Sequence, residues 1–342
     1  MPGSLNKILF TFPLFLFILF GGSSPAQNSH YVFFYNVENL FDYFDDPQTN
    51  DGSFTPKGEY HWTKERFNDK INMIYKTVIA CCEGNFPDII GLAEIENRWV
   101  LEQLVNKTPL KEVPYGIVHK ESPDMRGIDV ALLYRKDRVM HVDFDFIAVS
   151  ASGKHAFQSR DILYFKCKME SAILHFYINH WPSRSEGYLE SKEKRILAAK
   201  VLRSSIDTLI KKETNPRILI MGDFNATPNE DCLAKILKSS VSPKDSNYSL
   251  VNLSKRWLKN KQGTICRSGQ WEIFDQFICS RNLINGDTVL IKYSDTQICY
   301  LPFLLEKYKN NLGVKPFRTY LGPAYHGGIS DHLPIVTIII GK

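Results

Sequence analysis

The run Ile218-Leu219-Ile220-Met221 stops at Gly222 and delivers Asp223-Phe224-Asn225. Consecutive apolar residues of this kind belong to a strand buried on both faces, so the sheet that holds it needs a packed layer on each side. A strand ending this way presents a carboxylate and an amide at its C-terminal edge, where open α/β sheets place their ligands. Two residues apart on an extended chain, Asp223 and Asn225 can face one site. A carboxylate can take a proton from water or bind a metal. A side-chain amide can orient a phosphoryl oxygen or a water. Gly-Asp-x-Asn is also ordinary turn chemistry, so the rest of the chain has to decide.

The same arrangement recurs. Tyr31 to Tyr35 reads as a buried strand running into Asn36-Val37-Glu38. Asp88 to Ala93 ends in Glu94, and Ala172 to Ile178 ends in Asn179-His180. Trp271 to Cys279 reads as one strand with Asp275 inside it, and Ser330-Asp331-His332 precedes the strand Ile335 to Ile340. Further strands are expected at Val130 to Tyr134, Val142 to Val149 and Ile162 to Met169.

Between them lie helical patterns. Phe67, Ile71, Ile74 and Val78 recur at helical spacing within Thr63 to Cys82, and a second helix is expected from about Trp99 to Lys107. A third runs from Ser191 to Lys212, with Leu197, Val201, Ile206 and Leu209 inward and Arg195, Lys200 and Arg203 exposed. A short helix follows Pro228 as far as Leu237. Long polar loops span Asp45 to Lys57 and Ser240 to Gly269. The alternation shows no solenoid repeat and no dividing linker, so residues 27–342 read as one domain.

The chain has 342 residues, 44% of them hydrophobic, which excludes global disorder. A formal charge of +5 is compatible with a polyanionic substrate without arguing for one. Lys7, the apolar run Ile8 to Phe20 and Ser24-x-Ala26 predict a signal peptide over residues 1–26, cleaved near Ala26. The apolar run is shorter than the roughly 20 residues of a spanning helix, and no membrane span is expected after its removal. The expected location is secreted or periplasmic. Seven irregularly spaced cysteines suggest no zinc site and read mostly as buried small apolar residues. Export permits disulfides.

Taken singly, each strand-end residue has an ordinary explanation. A lone histidine is usually structural, and Asp331-His332 could cap a helix. In order, the motifs Asn36-x-Glu38, Glu94, Asn179-His180, Gly222-Asp223-x-Asn225, Asp275-Gln276 and Ser330-Asp331-His332 resemble the endonuclease/exonuclease/phosphatase superfamily. These are metal-dependent phosphodiesterases related to pancreatic deoxyribonuclease. The resemblance covers Tyr31 to Ile340. Tyr35 to Asp42 and Asn179 to Arg184 look most like the branch of secreted bacterial nucleases.

The resemblance implies a four-layer α/β/β/α sandwich of two packed mixed β-sheets, with the site at the top. It implies a hydrolase using Mg²⁺ or Mn²⁺, held by Glu94 as principal ligand with Glu38 and Asp331. Asp223 would orient or deprotonate the attacking water, with Asn225 and Asn36 holding Asp223 and the phosphate. His332 would contact the scissile phosphate, with Asp275 fixing its tautomer. His180, a histidine in deoxyribonuclease-like members and often asparagine in abasic-site repair enzymes, could protonate the leaving oxygen. Arg184 is a candidate phosphate contact, and Arg126 and Asp129 read as structural. The expected function is an exported nuclease, monomeric and acting on DNA or RNA. The alternative is a phosphoesterase for a phospholipid, an inositol phosphate or another small phosphodiester. Tyr300 to Leu304 could serve membrane contact but reads better as buried.

Overall fold

The computed structural model describes residues 28–152, 157–184, 187–240, 250–308 and 313–342, and within them the strands expected from Tyr31, Asp88, Val130, Val142, Ile162, Ala172, Ile218 and Ile335 all form. The expected signal peptide, residues 1–26, and residues 241–249 of the second long loop lie outside the described residues.

The first strand, β1 (Ser29–Leu40), extends beyond its apolar start and carries Asn36 and Glu38 within it. Helix α1 (Lys64–Cys81) follows, capped by Thr63, whose side chain accepts from the Arg66 N–H. Strand β2 (Ile89–Ile95) includes Glu94, and α2 (Arg98–Lys107) is capped by Asn97. Strand β3 (Tyr115–His119) has no clear period in the sequence and was not expected. Then come β4 (Asp129–Arg135), β5 (Met140–Ile147), β6 (Ile162–Met169), β7 (Ala172–His180), α3 (Tyr188–Lys212) and β8 (Arg217–Asp223). A single π-helical turn at Cys232–Ile236 stands where a short helix was expected. The remaining sheet strands are β9 (Ser239–Ser240), β10 (Leu250–Asn252), β11 (Asp275–Ser280), β12 (Val289–Ile291), β13 (Gln297–Ile298) and β14 (Ile335–Gly341).

Two mixed sheets result. One has the order β12-β14-β1-β2-β4-β3, with β13 also on β14, and the other β9-β10-β11-β8-β7-β6-β5. They pack face to face. Gly91 of β2 faces the Met221 side chain of β8, where an added Cβ would lie 2.9 Å from Met221 Cε. Helices α1 and α2 cover the first sheet, and α3 covers the outer face of the second through Ala198, Leu202 and Ile206 against Tyr177, Ile218 and Ile220. This is the four-layer sandwich, and burial of its strands on both faces explains their unbroken apolar runs.

Three expectations change. Trp271 to Cys279 is not one strand: Gln270–Glu272 pairs with Ile265–Arg267 as a hairpin, and β11 starts at Asp275. The break puts Asp275 at a strand end rather than in its middle. Arg195 and Arg203 are buried, not exposed, because the α3 seam runs through residues 195, 198, 202, 206 and 209 and leaves Leu197 and Val201 half-buried. Arg195 Nη1 donates to Ser191 Oγ (2.8 Å), and Arg203 Nη1 donates to Leu237 O (3.4 Å). Tyr300 to Leu304 is not a buried segment: only Leu304 is buried, Pro302 and Phe303 are exposed, and the half-buried Tyr300 donates its hydroxyl to Gly263 O. All seven cysteines are free, and all but Cys266 are buried.

Candidate active site

Strand register assembles the site. Asp223 at the end of β8 pairs with His180 of β7 on one side and with Asp275 of β11 on the other. A Cβ on Gly222 would lie 2.2 Å from Asn179 O, so only glycine lets β8 lie this close to β7. On the facing sheet, the pairing of β1 with β2 runs in step to Asn36 and Ala93, then shifts before Leu40 and Ile95. That irregularity holds Glu38, Asn39 and Glu94 at φ of 51°, 56° and 64°. The left-handed backbone turns the carboxylates of β1 and β2 toward the end of β8.

Asn36 joins the two sheets. Its Nδ2 donates to Asp223 Oδ2 (3.1 Å) and to Glu94 Oε1 (3.3 Å), and its Oδ1 accepts from the Glu38 N–H. Asn225 holds Asp223 from the other side: its N–H donates to Asp223 Oδ1 (2.8 Å) and its Nδ2 to Asp223 Oδ2 (3.3 Å). The same Nδ2 donates to Trp181 O (3.1 Å). His332 Nδ1 donates to Asp275 Oδ2 (2.7 Å), which turns Nε2 toward Asp223 Oδ2 at 3.7 Å. Ser330 fixes this loop by donating to Asn36 O and accepting from the His332 N–H. His180 Nε2 stands 3.6 Å from Asp223 Oδ2 and 3.8 Å from Glu94 Oε1.

The two histidines are pushed in opposite directions. Burial works against charge on His332, but Asp275, Asp223 and Asp331 outweigh it and hold His332 well above the usual histidine range. Burial pulls His180 well below that range, and Arg160, Arg126 and His332 pull the same way. His332 is therefore the imidazolium and His180 the neutral ring. Burial raises Asp223, with the charge of His332 opposing and that of Asp275 adding.

The residues expected to hold a metal divide. Glu94 fits a hard cation. Its side chain is 14% exposed, its Oε2 accepts the Asn39 N–H and its Oε1 accepts Asn36, leaving lone pairs directed outward. Asp331 is 32% exposed, with Oδ2 3.4 Å from Arg318 Nη2. Glu38 is the most heavily engaged. Arg318 grips Oε1 through Nη2 and Nε (2.6 and 3.0 Å), and the Thr319 N–H donates to Oε2. Lys70 donates to Glu38 O and to Thr319 Oγ1. Burial pushes the Glu38 carboxyl up and the Lys70 ammonium down, and each charge offsets the shift of the other. Asp223, Asp275 and His332 also lie close enough to share an ion. The proton in the His332–Asp275 hydrogen bond favours reading that group as acid–base machinery.

Arg184 has another task than the expected phosphate contact. It pairs with Glu230 (2.6 Å) and Glu272 (3.1 Å), donates to Asn225 O and lies 4.4 Å from the centroid of Phe274. The guanidinium braces the Asn225 turn from behind. Asp129, read as structural, accepts from the Ser122 N–H and contacts His119 (3.2 Å), while Arg126 is 47% exposed.

Three cations escaped sequence reasoning, two of them buried (Lys70 and Arg160) and one half-exposed (Arg318). Lys70 hides on the apolar face of α1, and Arg318 lies far from any strand motif. Arg160 donates to His180 O, Trp181 O and Asp124 Oδ2. Glu96 was passed over beside Glu94. Burial pushes its carboxyl up to about 9, and it accepts the Asp42 N–H beneath the long loop. A second carboxylate two residues after Glu94 was its only signal.

Buried carboxylates, an imidazolium and a cation-ready glutamate at one strand edge define a metal-dependent hydrolase of phosphate esters. The family model of the Endonuclease/Exonuclease/phosphatase family matches residues 31–341, and the chain belongs to that family, whose chemistry depends on a divalent metal. No curated protein matches the chain in sequence. Among solved structures it is similar to an endonuclease/exonuclease/phosphatase family protein from Bacteroides thetaiotaomicron, at 15% identity over 92% of this chain and 98% of that one, TM-score 0.57. It is also similar to D. rerio TDP2 complexed with a single strand DNA product, at 14% identity over 91% and 98%, TM-score 0.54. A Bacteroides thetaiotaomicron mannosyl-6-phosphatase matches at 15% identity over 91% and 99%, TM-score 0.54. At these identities the likeness is one of fold.

Proposed function

We propose that the chain is an exported nuclease that hydrolyses phosphodiester bonds of DNA or RNA by in-line attack of an activated water. The observation that carries this reading is the convergence on Asp223 of Asn36, Asn225, His180 and His332, with Glu94 beside it. A bound Mg²⁺ or Mn²⁺ would polarise a phosphoryl oxygen and stabilise charge developing on the phosphate. Glu94 would be its main ligand, with Asp331 on the open side and Glu38 reinforcing them from beneath. Asp223, held by two asparagines, orients the attacking water and accepts its proton. His332, charged and aimed by Asp275, meets the phosphate oxygens. His180 supplies a neutral N–H donor rather than an imidazolium, which moves the burden of charge to His332 and the metal.

Export rests on Lys7, the apolar run Ile8 to Phe20 and Ser24-x-Ala26. No helix among the described residues is long and apolar enough to cross a membrane. A nucleic-acid substrate agrees with the positive formal charge and with the DNA product bound by one structural neighbour.

The test is incubation of the purified protein with plasmid DNA and structured RNA, with Mg²⁺, Mn²⁺ or chelator, beside the double variant His180→Ala/His332→Ala. Metal-dependent nicking or RNA cleavage, lost in the double variant, is expected. Intact nucleic acid with every metal sinks the nuclease reading and sends the protein to small phosphoesters.

A further inference from the structure

A recess of about 170 Å³ opens directly beside the catalytic carboxylates, lined by Glu38, Asn39, Phe54, Tyr60, Arg318 and Tyr320 among others. It is contiguous with the metal side of the site, because Asn39 in its wall donates its N–H to Glu94 Oε2 (2.8 Å). Its size is close to that of an engineered protein cavity of about 150 Å³ that admits benzene. That volume suits one six-membered ring better than a fused bicycle.

The walls are built rather than incidental. Phe54 stacks on buried Phe41 (4.3 Å between centroids) and meets Tyr60 (4.5 Å), which meets Tyr320 (4.8 Å). The Tyr320 hydroxyl donates to Tyr60 O (2.9 Å), and Arg66 Nη1 donates to the same carbonyl (2.7 Å). Three segments distant in sequence are thus cross-braced around one opening, as a preorganised binding site requires. The aromatic side offers the half-exposed edges of Phe54 and Tyr60, whose faces pack on neighbouring rings. The polar side offers the Arg318 guanidinium, 40% exposed, as donor.

We propose that this recess is a specificity subsite that takes a single six-membered ring of the group esterified to the scissile phosphate, set against the exposed edges of Phe54 and Tyr60 and hydrogen-bonded by Arg318. The inference rests on the phosphoester-cleaving reading of the adjacent site. It assigns a task to the loop from Asp45 to Lys57: this loop carries Phe54, one wall of the substrate cleft. The ring can be aromatic, as in a pyrimidine or a phenol, or a pyranose.

Calorimetric binding of small phosphate monoesters tests this on an Asp223→Asn background with Mn²⁺, so that no ester is consumed. The probes are methyl phosphate, phenyl phosphate, glucose 6-phosphate and 1-naphthyl phosphate. Phenyl phosphate or glucose 6-phosphate should bind at least tenfold more tightly than methyl phosphate, and whichever of the two does so identifies the ring. 1-Naphthyl phosphate should lose that advantage on size. Tyr60→Ala should reduce the advantage at least fivefold while leaving the Kd of methyl phosphate unchanged, which also reports an intact fold. Tyr60→Leu, which keeps an apolar wall, guards against local collapse.

Equal affinity for the ringed esters and methyl phosphate overturns the proposal. So does naphthyl phosphate binding as tightly as phenyl phosphate, or an advantage that survives both variants. Because binding is read without turnover, a nuclease with flat affinities loses only the subsite. A protein that prefers ringed esters yet leaves nucleic acid intact loses only the nuclease reading.

Discussion

Glu38, Asn39, Glu94 and Asn225 hold φ between 48° and 64°, a region that non-glycine residues seldom occupy. Such conformations persist where the surroundings over-determine them, and here Asn36 and Arg318 hold Glu38, Glu94 holds Asn39, and Asp223 holds Asn225. The hydrogen bond that Asp275 accepts from His332, together with its charge, favours the proton on His332. Asp275→Asn should lower activity on the order of 10²–10⁴-fold, and the residual rate should fail at a lower pH than in the wild type. His332 lies raised above its unfolded value, so its charged contribution is complete below that value and is lost as pH rises through the folded one. Without Asp275 that loss moves toward neutrality, and a pH–rate profile reads it directly. Glu96 carries the same sign in a carboxyl. Raised to about 9 from 4.5, it contributes stability that is present at acid pH and lost as pH climbs through that window. Glu96→Gln keeps the volume and removes the titration, so its Tm should exceed that of the wild type by a margin that grows from pH 5 to pH 9. A margin independent of pH would assign the effect to packing instead.

At the scale of elements, β-strand ends carry the site, and Lys70 of α1 with the loop residues Arg160, Arg184 and Arg318 fastens it. The strand ends were legible because an apolar run buried on both faces announces itself, and the first polar residue after it stands at the sheet edge. That holds for Asn36, Glu94, His180 and Asp223. Asp275 was found by its motif and misplaced by its strand, since Trp271, Ile273, Phe277 and Cys279 alternate as one strand would and hide the break before Asp275. The braces were illegible because a buried cation looks in sequence like an exposed one. Arg195 differs from Lys200 only in its angle around α3. Likewise Arg184, next to the Asn-His motif, suggested a phosphate contact until the turn behind Asn225 claimed its guanidinium. Helix α3 holds β7 and β8 in place through Leu202, so Leu202→Ala should destabilise the fold by about 2–5 kcal/mol. Denaturant unfolding would measure it, and kcat of the folded fraction should stay near the wild-type value.

Across the whole molecule, two sheets each contribute an incomplete half of the chemistry. The first brings Glu38 and Glu94, the second brings His180, Asp223 and Asp275, and Asn36 spans the gap. Excess carboxylate at that junction is what a divalent cation neutralises, so Glu94→Gln should raise the metal concentration needed for half-maximal rate and lower the maximal rate. Rate against metal concentration separates this from a folding defect, which would lower the maximum alone. The most direct measurement is hydrolysis of bis(p-nitrophenyl) phosphate, a diester with no nucleic-acid feature. It would be followed with Mn²⁺, with chelator, and in Asp223→Asn and His332→Ala. A rate that chelator abolishes, that returns with added metal and that falls at least 100-fold in either variant is predicted. A rate indifferent to chelator, or preserved in both variants, would contradict a metal-dependent site built around Asp223.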